Sequence, residues 1–232
     1  MDNWEERTFE ISDVFGEFLS LVESHWLMLV LVALVPGLLY TWADLNADMG
    51  AAAALGSLLS FVILYLQIFV IVRLARDRGL LNGRDHEDGS PTLGMYFRVF
   101  GQSIVWSLAV FVGLVILILP GVWLLTMWYA VLPVLLVENE DVMDTFGRSK
   151  ALVTPHFWKV LILVLITASF YVAPVMGLFF LVPAPDGSLL WSSLLLNLAL
   201  QFGQTGAWVL SLATYIRLAN QSGQEGVGDI FA

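Results

Sequence analysis

Six long apolar runs dominate this chain, at residues 26–40, 50–72, 104–119, 122–137, 160–181 and 189–216. A helix rises about 1.5 Å per residue and the hydrocarbon core of a bilayer is about 30 Å thick, so runs of this length have the dimensions of membrane segments. Backbone at that depth has no water to bond with, and a helix satisfies its own N–H and C=O groups. Hydrophobic residues make up 59% of the 232 and charged residues 13%, against about 45 to 50% and about 25% in soluble domains. The expected fold is all-α, a polytopic membrane helical bundle. Runs three and four hold only sixteen residues each, about 24 Å of helix, and read either as two short spans or as a bent, partly re-entrant pair.

The basic residues set the topology. All ten lie at Arg7, at Arg73, Arg76, Arg78, Arg84 and Arg98, at Arg148, Lys150 and Lys159, and at Arg217. With a turn at Pro120-Gly121 every one falls on a single side, whereas one helix continuing through Pro120 sends four of them across. A ten-to-none split is a positive-inside pattern, which puts both termini in the cytoplasm with six membrane segments forming three hairpins. The chain then divides into an acidic amphipathic helix at 1–23, a hairpin at 26–72, a cytoplasmic connector at 73–98, a hairpin at 104–137, an amphipathic helix at 141–153, a hairpin at 160–217 and a tail at 218–232. The acidic start, Met1-Asp2-Asn3-Trp4-Glu5-Glu6, is unlike a cleavable signal peptide, so the first span is expected to remain.

The two amphipathic helices follow from periodicity. Ile11, Val14, Phe15, Phe18, Leu21 and Val22 share one face, with Ser12, Asp13, Glu17, Ser20 and Glu23 opposite; Val142, Phe146 and Val153 do the same against Asp141, Asp144, Arg148 and Lys150. Such helices lie in the interface plane or pack on the protein's own cytoplasmic loops. They also head an internal repeat: Phe15-Gly16, Leu21-Val22, His25 and Trp26 match Phe146-Gly147, Leu152-Val153, His156 and Trp158. A middle unit, from Met95-Tyr96-Phe97 through Trp106 to Pro120-Gly121, keeps only the outline of that repeat.

Several functions are set aside by composition. There is no cysteine, hence no disulfide or thiolate chemistry, and three histidines offer little for a metal site. A net charge of -10 disfavours nucleic acid, which is bound by clustered cations. Arg84-Asp85-His86-Glu87-Asp88 is the one acid/base string outside the apolar runs, and between Gly83 and Gly89-Ser90-Pro91 it reads as a solvated turn. The expectation is no enzyme, no catalytic residues and no cofactor.

Leu119-Pro120-Gly121, Pro133, Glu138, Arg148-Ser149, Leu152 and Phe157-Trp158-Lys159 form an ordered pattern. It resembles the membrane domain of glycerophosphoryl diester phosphodiesterases and the related YciC-like bacterial inner-membrane proteins, best over residues 115–165. The resemblance implies an all-helical fold in the bacterial inner membrane. It brings no phosphodiesterase activity, because that belongs to an attached barrel domain of about 250 residues, far longer than any polar stretch here.

Inside the runs, the last carries the most pointed pattern. Asn197, Gln201, Gln204, Trp208, Ser211 and Tyr215 are spaced 4, 3, 4, 3 and 4 apart, so they fall within about 40° of one line on a helix. Ala199, Gly203, Gly206 and Ala207 leave a flat opposite face for another helix, and the segment should be central. Interhelical hydrogen bonding, a wet cavity for a polar ligand or lipid headgroup, and a contact face for another membrane subunit all fit the stripe. Gln67 in the second run is the expected internal partner. At the cytoplasmic rim Arg73, Arg76, Arg78, Arg98, Lys159 and Arg217 are snorkelling anchors or phospholipid headgroup contacts. Together these readings predict a non-enzymatic inner-membrane subunit, scaffold or accessory factor acting through membrane lipids and a possible second membrane protein. The alternative is a transporter or carrier for a small polar or amphiphilic solute.

Overall fold

The computed structural model describes residues 9–46, 48–81, 91–116, 118–181 and 189–228. Its helices are α1 (Ile11–Asn46), α2 (Met49–Asp77), α3 (Leu93–Ile116), α4 (Ile118–Met127), α5 (Val131–Glu138), α6 (Val142–Val153), α7 (Phe157–Leu181) and α8 (Leu189–Gly228). Among the described residues all regular structure is helical, and five segments, at 11–46, 53–77, 93–116, 118–138 and 142–177, are long and apolar enough to cross a membrane. These are the helices of a multi-pass membrane protein. The polar stripe dilutes α8, which nevertheless sits at the centre: from Ala207 to Ile216 nearly every side chain is buried, as in a helix surrounded by others.

The first and last helices run antiparallel along most of their length. At one end Asn197 donates to Asp44 at 2.8 Å and Leu198 packs against Gly37. At the other, Glu17 takes Arg217 of α8 at 3.4 Å and Arg78, just beyond α2, at 3.1 Å. One carboxylate thus ties three helices together.

α1 is broken at His25, whose φ of -132° and ψ of 20° leave the helical region. Its ring bridges Ser24 at 2.8 Å and Asp77 at 2.6 Å, fixing the kink against the end of α2. The matching place after α6 is a 3-10 turn, Thr154–His156. Both copies of the repeated motif are therefore a helix, a break and a long apolar helix. The middle unit lacks this break, since α3 is continuous from Leu93 through the stretch assigned to the connector.

The second hairpin differs from the simple reading of two apolar arms. A Cβ on Gly113 would stand 3.1 Å from the Gly121 Cα, a proximity that only a reversal of the chain allows. α3 ends at Ile116, and Pro120-Gly121 lie inside α4, which begins at Ile118. Pro120 lies in the first turn of α4, where a missing N–H leaves no helical bond unmade. The returning arm is itself split between Met127 and Val131. Two hydroxyls satisfy carbonyls freed there: Ser149 donates to Met127 and Ser211 to Tyr129, each at 2.9 Å. Side chains from neighbouring helices thus stand in for the interrupted ladder.

Candidate functional site

A cavity of about 600 Å³ lies among α2, α3, the α4–α5 break, α7 and α8. α2 supplies Gln67 and Ile71; α3 supplies Gln102, Ser103, Trp106 and Ser107. The broken arm adds Trp128 and Tyr129, α7 adds Thr167 and Tyr171, and α8 adds Gln204, Trp208 and Ser211. The volume lies within the range typical of small-molecule sites.

Each wall has a local cause. The turn between α4 and α5 swings Trp128 and Tyr129 to the cavity; Phe146 of α6 braces Trp128 edge-on at 4.7 Å between ring centroids, and the Tyr129 hydroxyl meets Thr167 at 2.7 Å. α7 comes close to α8 because Gly203 has no side chain: a Cβ there would stand 2.6 Å from the Phe170 carbonyl oxygen. Gln102 is 4% exposed, and its side-chain oxygen has no hydrogen-bond partner among the described residues. Nearly all buried polar atoms in folded proteins are paired, so this oxygen is an exception among the lining residues. None of the lining side chains is charged.

The α8 stripe divides along its length. Gln204, Trp208 and Ser211 face the cavity together with Gln67. Asn197 instead reaches α1, at Asp44 and at Thr41, 3.4 Å away, and Gln201 is buried outside the lining. Tyr215 donates to Glu138 at 3.0 Å, and the other oxygen of that carboxylate accepts from Arg148 at 2.9 Å. One stripe thus serves a helix pair, a cavity and a cap at the end of α5.

The rim cations do not converge on one site. Arg73 lies 3.5 Å from Asp77, Arg78 and Arg217 share Glu17, Arg98 donates to Asn139 at 2.5 Å, and Lys159 donates to the Phe9 carbonyl. Arg76 is exposed at the end of α2. These contacts make most of them ties between helix ends. The string at residues 84–88 lies outside the described residues.

Sequence reasoning missed the α3 wall. Gln102 and Ser103 stand just ahead of the apolar run that begins at Ile104, and counting them as part of the segment would have revealed Gln102, Ser103, Trp106 and Ser107 as a polar and aromatic patch at helical spacing. Compared with protein-family models, curated proteins and solved structures, the chain matches none.

Proposed function

We propose that this is a non-enzymatic multi-pass protein of the bacterial inner membrane, with both termini cytoplasmic, that works by holding a membrane-borne amphiphile in its central cavity. On this reading it is an accessory factor acting through lipid and protein contacts, of the kind suggested by its likeness to phosphodiesterase membrane domains and YciC-like proteins. The observation that carries the reading is the cavity wall: carboxamides, hydroxyls and indoles hold a ligand, and none is an ordinary acid/base pair. The one-sided distribution of all ten cations supports the orientation.

Native mass spectrometry of protein released gently from its own membrane tests this. A lipid-sized adduct is expected on the wild-type chain and should be lost from a Gln67→Leu, Gln204→Leu double variant that still melts cooperatively. An adduct unaffected by that variant would place the lipid elsewhere and sink the reading.

A carrier is the second reading. It is favoured by Pro174 inside α7, near Tyr171 at the cavity wall, because proline frees a backbone carbonyl and gives a helix a place to bend. Reconstituted vesicles exchanging a bound amphiphile between leaflets faster with the protein than without it would favour a carrier over an accessory factor.

A further inference from the structure

The chemistry of the cavity wall narrows the ligand beyond "amphiphile". Resting on the reading that the cavity is a binding site, we infer that it takes an uncharged lipid bearing free hydroxyl groups, of the diacylglycerol type, and discriminates against phospholipids with an ionised headgroup.

Three observations converge. First, three carboxamides from three different helices, Gln67, Gln102 and Gln204, line a wall with no charged side chain. An ionised phosphate entering it would lose hydration with no guanidinium or ammonium to replace it, and phosphate sites are normally built from those groups. Arg98, one turn before Gln102 on α3, is not among the lining residues and donates to Asn139 instead. Second, Gln102 lines the cavity while its buried oxygen lacks a donor, so a rotation of the carboxamide toward the cavity gains a hydrogen bond there. A hydroxyl supplies one and can also accept from an amide N–H, so it matches both ends of a carboxamide. An ester or a phosphodiester oxygen only accepts. Third, Ser107 of α3 and Ala168 and Tyr171 of α7, which edge the cavity, are exposed. Those positions lie well inside their helices, so the cavity opens sideways toward lipid, the route by which a molecule with acyl chains arrives. Trp106, Trp128 and Trp208 give the interior apolar faces on which chains rest.

The test uses those same indoles. Full-length protein, delipidated in detergent, is titrated with dioleoylglycerol carrying brominated chains and, separately, with brominated phosphatidylglycerol, and tryptophan quenching is followed. Saturable quenching is expected with the glyceride at an affinity at least tenfold higher than with the phospholipid. Gln102→Leu should weaken glyceride binding by about tenfold or more, the usual consequence of deleting a buried hydrogen bond, while its melting temperature holds or rises, because the variant removes a buried polar atom that has no partner in the protein. A purely structural glutamine would show the reverse, a lower melting temperature with unchanged binding, and that result overturns the assignment of Gln102. Should Gln102→Leu fail to fold, Gln204→Met is the replacement, with the same expected loss. Phosphatidylglycerol binding as tightly as the glyceride would overturn the ligand class while leaving the cavity a binding site. Quenching by neither lipid would overturn the binding site itself.

Discussion

A single hydroxyl on α8 holds a break in a neighbouring helix. Ser211 donates to the Tyr129 carbonyl at 2.9 Å, and in a low-dielectric interior an unpaired carbonyl costs about 1 to 3 kcal/mol. Ser211→Ala is therefore expected to lower the melting temperature by roughly 2 to 4 °C per kcal/mol lost, the scale for chains of this size. A fluorescence melt of the purified variant in detergent measures it, and an unchanged melt would show that the break is held by other contacts. Glu17 gives a contrasting case. It meets two guanidiniums, but those side chains are 31% and 36% exposed, so solvent screens the pair and Glu17→Gln should cost only about 1 kcal/mol. Raising the salt concentration should shrink that difference further, because exposed ion pairs are screened.

Helix pairs are where the sequence was readable in part. The small residues of α8 announced a close partner, and α7 occupies that face at Gly203. Gly203→Ala should push α7 and α8 apart and cost about 1 to 3 kcal/mol, as overpacking does. Gly206→Ala places its Cβ 3.6 Å from the Phe170 ring, an ordinary contact, and should be neutral in the same melt. The stripe was legible because period alone aligns Gln204, Trp208 and Ser211. The α4–α5 break was not, because Trp128-Tyr129-Ala130 contains neither proline nor glycine and the hydroxyls that hold it come from residues distant in sequence. The same arm bears on depth. Met127 accepts from Ser149 of α6, and Lys150 lies over the Trp123 ring at 5.8 Å. On the reading that the amphipathic α6 lies in the interface plane, α4 from Met127 back to Ile118 rises only about 14 Å, half of the hydrocarbon thickness. Val115, Ile116, Ile118 and Leu119 at the tip are strongly exposed, whereas the end of α1 carries Asp44 and Asn46 and the N-cap of α2 is Asp48. In this cysteine-free chain Leu119→Cys should stay unreactive toward an impermeant maleimide from either face of the membrane. Labelling from outside would instead make α3 and α4 full crossings.

The whole molecule is organised around α8, which touches α1, α2, α5, α6 and α7. The orientation proposed for it has a direct readout: Asp48→Cys should label from outside intact cells, and Glu23→Cys only after the inner membrane is opened. Labelling of Glu23→Cys but not Asp48→Cys in intact cells would reverse the assignment of sides, and labelling of both with a cytoplasmic marker still protected would overturn the placement of the two residues on opposite sides. The antiparallel pairing of the first helix with the last also bears on how the protein is made. Chains grow at about 5 to 20 residues per second, so α1 enters the bilayer roughly ten to thirty seconds before the helix it embraces leaves the ribosome. Throughout that interval Gly37 lacks Leu198, and Glu17 has Arg78 but not yet Arg217. The α1–α2 hairpin can form early, but the longest helix–helix contact in the molecule closes only when the last helix is made.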